Sequence, residues 1–126
     1  MRKNEASGST IYKAIEYINQ HYTNPLSLNE VMNVAVMSRT TFVNQFKQVT
    51  GKSFVEYVHL LRIQLAKQLL QENKHKVTHV GKMCGFESTS YFCRIFLKHT
   101  GMTPGTYIAV QKNRIEEDSA RYKKYC

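Results

Sequence analysis

Proline and cysteine are rare in this sequence, with two and three of its 126 residues. Strand signals are also scarce, and helical periodicity dominates the chain. The cysteines, Cys84, Cys93 and Cys126, are odd in number and irregularly spaced, which favours free thiols over a disulfide framework. No apolar run approaches the ~18 residues of a membrane helix, and the N-terminus lacks the apolar stretch of a signal peptide. We therefore expect a cytoplasmic protein with no membrane partner.

Acidic residues are also few, with nine against 18 Lys and Arg, which gives a formal net charge of +9. This excess favours a polyanionic partner such as nucleic acid. No paired carboxylates and no nucleophile–base arrangement occur, so we do not expect an enzyme or a cofactor. His75, His79 and Cys84 have spacing that resembles metal ligands, but they straddle a predicted helix break and no fourth ligand follows. Solvated or phosphate-near histidines are the preferred interpretation, and we predict no metal site.

The predicted helices begin at Thr10, after a flexible start in residues 1–9. Ile11, Ile15, Ile18 and Tyr22 form one apolar stripe, and the segment "TNP" ends this helix at residues 23–25. A capping box, "SLNE" at 27–30, then opens a short second helix that runs to about residue 35.

The segment "SRTTFVNQFKQVTG" (38–51) returns as "STSYFCRIFLKHTG" (88–101). The matching phenylalanines and glycines lie 50 residues apart, as Phe42 and Phe92 do. In each copy a serine caps an amphipathic helix and a glycine ends it. A short helix precedes each copy, so the sequence predicts two helix-turn-helix units. The predicted elements are the first unit at 27–51, a long connecting helix at 53–73, the second unit at 77–101 and a last helix at 104–110. In the connecting helix, Leu61, Leu65 and Leu69 are expected to face the core.

Periodicity divides each predicted recognition helix into a core face and a solvent face. Phe42, Phe46 and Val49 are expected inside in the first copy, and Phe92 and Phe96 in the second. The outward sets contain no acid and form our candidate DNA-binding residues: Arg39, Thr40, Val43, Asn44 and Lys47, then Thr89, Ser90, Cys93, Arg94 and Lys98.

These outward residues suit the edges of base pairs. Arg94 can pair with guanine and Asn44 with adenine, each through two hydrogen bonds. Val43 and the methyl groups of Thr40 and Thr89 can pack on thymine methyls, while Lys47 and Lys98 are expected to meet phosphate. Cys93 is interpreted as a small residue against a base, in preference to a redox sensor.

The length of the connecting helix suits simultaneous binding of both units to one duplex. At about 30 Å for 20 residues, it nearly matches the 34 Å between successive major grooves on one side of B-DNA.

The order of these motifs resembles the AraC/XylS-type DNA-binding domain over residues 10–110. The most specific part is "GFESTSYFCRIFLKHTGMTPGTY" (85–107), and the pattern "RIQLAKQLL" (62–70) in the connecting helix also matches. The resemblance implies an all-α, homeodomain-like fold of seven helices with two helix-turn-helix subdomains joined by a long central helix. It also implies a transcription regulator, often an activator that contacts RNA polymerase. Most members carry a separate sensing or dimerisation domain, and we expect no segment of this sequence to form one.

The sequence departs from the family pattern at three positions. Met32 replaces a frequent alanine, and Gly81 takes a usual alanine position at a cost of ~1 kcal/mol in helix propensity. Val36 replaces a frequent glycine in the first turn, where a positive φ would strain a β-branched residue.

Two rivals remain open besides sequence-specific DNA binding. One is a protein-interaction module that contacts polymerase or another regulator without reading DNA. The other is non-specific coating of nucleic acid by a basic protein. The polar tail at 111–126 is either a frayed helix or disordered.

Overall fold

The computed structural model describes the backbone of residues 2–113 and the side chains of residues 10–113. These residues form seven helices and no strand, as the sequence predicted; most of the tail at 111–126 lies outside the described range. None of the described helices is both long and apolar enough to cross a membrane. The helices are α1 (Arg2–His21), α2 (Leu28–Ala35), α3 (Arg39–Thr50), α4 (Phe54–Glu72), α5 (Val77–Met83), α6 (Thr89–Thr100) and α7 (104–113).

The chain divides into two units between Arg62 and Ile63, inside α4. Each unit has its own apolar core, to which its recognition helix contributes two buried phenylalanines. The first core contains Ile11, Ala14, Ile18, Val31, Ala35, Phe42, Phe46 and Val58. The second contains Ile63, Ala66, Leu70, Val80, Cys84, Phe86, Phe92, Ile95, Phe96 and Tyr107.

The second half of α4 contributes core residues to the second unit at the positions where α1 contributes them to the first unit. Residues 63, 66 and 70 are buried, as are residues 11, 14 and 18, each 52 positions earlier. The polar neighbours also correspond: the Tyr57 hydroxyl donates to Asn19 Oδ1 at 3.0 Å, and Gln71 Nε2 donates to the Tyr107 hydroxyl at 2.7 Å. Each unit is therefore a four-helix repeat, and α4 joins the last helix of one to the first of the next.

This double role corrects the predicted core face of α4. Leu61, Leu65 and Leu69 were expected inside, but they are only partly buried beside the cores. Residues spaced four apart are each displaced by about 40° around the helix from the one before. A row of such residues therefore winds around the helix and does not stay on one face. The buried set 63, 66 and 70 alternates spacings of three and four and stays on one side.

The start of α1 also differs from the prediction, since the helix begins at Arg2 and not near Thr10. The segment between them contains no proline, and its one glycine costs only ~1 kcal/mol of helix propensity. The end of α1 is held from α4: Arg62 Nε donates to the Tyr22 carbonyl at 2.6 Å, and its Nη2 donates to the Asn24 carbonyl at 3.1 Å.

Of the two hydrogen bonds that the predicted capping box of α2 would contain, one is present. Ser27 Oγ accepts a hydrogen bond from the Glu30 backbone N–H at 3.1 Å. The Glu30 carboxylate, which was expected to reach back toward Ser27, instead accepts a hydrogen bond from the Tyr17 hydroxyl. This hydrogen bond, with smaller contributions from burial and from the carboxylate's charge, raises the pKa of Tyr17.

The turn after α2 has the left-handed conformation that makes valine unfavourable there. Val36 has φ 54° and ψ 49°, and its side chain is 82% exposed. Two hydrogen bonds close the turn, from Val36 N to the Asn33 carbonyl and from Met37 N to the Met32 carbonyl, both at 3.2 Å. The second unit makes the same turn with Gly85 at φ 104°. The first unit therefore carries backbone strain that the second avoids.

We predict that Val36→Gly raises the free energy of unfolding by about 1 kcal/mol. A left-handed conformation costs an L-residue ~1–2 kcal/mol, and the larger chain entropy of glycine in the unfolded state offsets part of the gain. Urea denaturation followed by circular dichroism measures the change. Gly85→Val is the reciprocal control and should lower stability. An unchanged or lower stability for Val36→Gly would show that the turn relieves the strain elsewhere.

Gly81 is buried and lies against a recognition helix. A Cβ added there would lie 2.9 Å from Cδ2 and 3.0 Å from Cγ of Phe92, whose side chain is fully buried. The glycine therefore gives up helix propensity so that α5 can approach α6 closely.

We predict that Gly81→Ala lowers the free energy of unfolding by about 1–2 kcal/mol, because overpacking costs ~1–3 kcal/mol and the gained propensity offsets only part of it. Gly105→Ala on α7 is the matched control, since a Cβ there meets nothing within 4 Å. It should leave stability unchanged or raise it. If both variants gained stability in thermal and urea unfolding, the contact between the added Cβ and Phe92 would not be destabilising, and the prediction would be wrong.

Candidate DNA-binding surface

Each recognition helix is fixed at both ends by the same local interactions. Ser38 Oγ accepts from the Thr41 backbone N–H at 3.4 Å, and Ser88 Oγ accepts from Tyr91 at 3.1 Å. Gly51 and Gly101 end α3 and α6 in the left-handed conformation, at φ 77° and 81°. These caps set the length of each helix and confirm the boundaries that the repeat predicted.

A threonine in the last turn of each recognition helix adds a second constraint. The Thr50 hydroxyl donates to the Phe46 carbonyl at 2.7 Å and accepts from the Lys52 backbone N–H at 3.2 Å. Thr100 makes the same pair of contacts, with the Phe96 carbonyl and with the backbone N–H of Met102. These threonines, which lie at the same offset in the two copies of the repeat, fix the exit from each helix.

All five candidate residues of α3 are exposed, as periodicity predicted. They are Arg39, Thr40, Val43, Asn44 and Lys47. The prediction for Val49 was wrong, because its side chain is 42% exposed and the core ends at Phe46. Val49 lies in the last turn of α3, and the corresponding residue of the second unit is the polar His99, which argued against a core position.

The candidate residues of α6 differ in their exposure. Ser90, Arg94 and Lys98 are exposed, whereas Thr89 and Cys93 are half-buried. Cys93 also packs against the second core, so part of its side chain is committed to the protein interior. Arg94 is thus the long, exposed side chain in the middle of this face.

The exposed faces of α3 and α6 carry cations and no acid. Two basic residues belong to each set: Arg39 and Lys47 on α3, and Arg94 and Lys98 on α6. Glu87, an exposed acid, lies in the turn that precedes the cap of α6. Both faces therefore suit contact with phosphate, and their polar and methyl groups suit contact with base edges.

An apolar groove of about 520 Å³ lies beside α3 within the first unit. Val43 and Lys47 line it together with core residues such as Phe46, whereas Asn44 does not. Substitution of Val43 therefore alters this groove as well as the recognition face, and Asn44 is the cleaner probe of base contact.

His75 and His79 are neighbours, with ring centroids 5.8 Å apart. Within the part of the chain that the structure describes, no group of three or more His, Cys, Asp or Glu side chains could hold a metal ion. Cys84, the third residue of the metal-like spacing, is buried in the second core.

Comparison with known proteins gives one family. A family model described as a helix-turn-helix domain matches residues 31–109. The probable transcriptional regulator LumQ of Photobacterium leiognathi is 36% identical over 91 residues, which cover 72% of this chain and 37% of LumQ. The chain spans only 36–40% of the length of the first curated relatives that it matches.

Solved structures share the fold. The DNA-binding domain of the global transcriptional factor AdpA, in complex with a target DNA, has a TM-score of 0.79 and 25% identity, over 83% of this chain and 95% of that one. A regulator from Chromobacterium violaceum with an AraC-type DNA-binding domain has a TM-score of 0.73 and 28% identity, over 83% and 94%.

Proposed function

Because the chain belongs to the AraC-type helix-turn-helix family of DNA-binding domains, we propose that it binds double-stranded DNA sequence-specifically and regulates transcription. The observation that carries the proposal is the pair of recognition helices, each with phenylalanines buried on one side and an acid-free face on the other. The AdpA domain, which has the same fold, was crystallised with a target DNA. No feature of the described residues suggests catalysis as an alternative.

We further propose that both recognition helices bind one duplex, in successive major grooves. The 19 residues of α4 form one uninterrupted helix, which extends about 28 Å at 1.5 Å per residue. Successive major grooves on one side of B-DNA lie about 34 Å apart. A monomer would then present two recognition helices, as a dimeric repressor does.

The base contacts follow from the chemistry of the exposed side chains. Arg94 is proposed to bind guanine and Asn44 adenine. Val43 and the methyl groups of Thr40 and Thr89 are proposed to pack on thymine methyl groups. Lys47 and Lys98 are proposed to bind phosphate, which positions each helix without carrying sequence information. Cys93, half-buried, offers a base only part of its surface.

The family relationship also suggests properties of the parent protein. Since the chain spans 36–40% of its first curated relatives, we propose that the parent protein has a sensing or dimerisation domain outside this chain. We propose activation over repression, with RNA polymerase as a further partner, and a cytoplasmic location where DNA is accessible.

Selection from random duplexes with the purified chain should yield a defined operator, on which variants can then be compared. Arg94→Ala is expected to cost ~1–3 kcal/mol of binding free energy and to relax preference at one base pair. Lys47→Ala should weaken all sequences about equally and reduce the slope of log affinity against log salt by about one. Titration of labelled duplexes at two or more salt concentrations measures both effects.

Lys13, an exposed cation on α1, provides the control, and Lys13→Ala should leave the preferred sequence unchanged. An Arg94→Ala variant with unaltered base preference would remove Arg94 from the assignment. If selection enriched no sequence, the chain would be a non-specific coating protein. If the chain bound no duplex at any salt concentration, the interaction-module interpretation would replace the proposed function.

A further inference from the structure

We propose that Tyr91 positions Arg94 for base recognition and thereby sets the specificity of the second unit, an inference that rests on the proposed DNA binding. The guanidinium carbon of Arg94 lies 5.1 Å from the centroid of the Tyr91 ring. The two residues are three positions apart on α6, a spacing that brings side chains together on one side of a helix. A guanidinium over an aromatic face within about 6 Å is held by a cation–π interaction.

The Tyr91 ring is itself held by the core and by the helix cap. Its centroid lies 6.1 Å from that of Phe86, which is buried at 3% exposure. The backbone N–H of Tyr91 donates to Ser88 Oγ, the cap of α6. Tyr91 is half-buried, while Arg94 above it is exposed. The ring is therefore a fixed platform for a side chain that would otherwise sample many rotamers.

The cation–π interaction is compatible with recognition because it does not use the hydrogen-bond donors of the guanidinium. The attraction acts between the positive charge and the face of the ring, so the N–H groups remain available to a base. Recognition of guanine requires two of these donors, directed together at O6 and N7 in the major groove. A guanidinium already held over the tyrosine ring loses less conformational entropy when it forms that pair.

The first unit lacks this arrangement. The residues 50 positions before Tyr91 and Arg94 are Thr41 and Asn44. The Thr41 hydroxyl accepts a hydrogen bond from Ser38 Oγ at 3.0 Å and offers no aromatic face. The two units thus share a fold but differ in the side chain beneath the central base-reading position, so the proposed device belongs to the second unit.

The test uses the full chain and the duplex that it selects from a random library. A second duplex carries an A·T pair in place of the G·C pair whose preference depends on Arg94. Tyr91→Leu keeps an apolar side chain against Phe86 but removes the ring, and it should reduce discrimination between the duplexes about two- to five-fold. Tyr91→Phe keeps the ring and should retain most of the discrimination. In an Arg94→Ala background, Tyr91→Leu should cause no further loss of discrimination.

Several results would overturn the proposal. They are an equal loss of affinity for both duplexes with Tyr91→Leu, the same loss of discrimination with Tyr91→Phe, and a further loss in the Arg94→Ala background. Thermal unfolding by circular dichroism verifies that each variant is folded, and Tyr91→Met replaces Tyr91→Leu if the latter is not. Failure of the proposed function would differ, because the unmodified chain would then select no duplex. If it selects one but Arg94→Ala keeps every base preference, the guanine assignment of Arg94 and the Tyr91–Arg94 inference both fail, while sequence-specific DNA binding by the chain stands.

Discussion

Burial of two phenylalanines one turn apart fixes the rotation of each recognition helix. Phe42 and Phe46 have ring centroids 5.4 Å apart, and Phe92 and Phe96 have centroids 5.8 Å apart; all four are at most 1% exposed. Both rings of a pair lie on the same face, so rotating either helix about its axis would expose both at once. Burying each ring contributes about 1.5–3 kcal/mol, and such a rotation would lose both contributions. Since a helix turns about 100° per residue, the identity of every outward residue follows from this constraint. The candidate DNA-binding surface is thus a consequence of core packing.

The parts of the fold that the sequence predicts are those specified by signals local to each helix. Caps at Ser27, Ser38 and Ser88, the glycine stops and the 50-residue repeat give the helices and most of the outward positions, because each depends on residues within a few positions. The second role of α4 was missed, since the 52-residue correspondence between Ile11 and Ile63 involves few identical residues. The exposure of Val49 depends on where the core ends, and the position of Arg94 over the Tyr91 ring depends on side-chain rotamers. Periodicity alone specifies neither.

The two units reach one fold through different local solutions. The first keeps Val36 in a left-handed turn, where the second has Gly85. The second uses Gly81 to bring α5 against Phe92, where the first has the larger, partly buried Met32. The exposed faces have diverged as well, with Asn44 at the centre of one and Arg94 on an aromatic platform at the centre of the other. Such divergence favours two unlike half-sites in the proposed operator over a repeated sequence.

The proposal that both faces bind one duplex is the central functional claim, and a change in half-site spacing tests it most directly. Five inserted base pairs turn one half-site by about half a helical turn relative to the other, given 10–10.5 base pairs per turn. The account predicts that affinity for this duplex falls to that for a duplex with one half-site. Because α4 has a fixed length, ten inserted base pairs should not restore it. Undiminished affinity at every spacing would contradict the account, because it would mean that the two faces do not bind the duplex together.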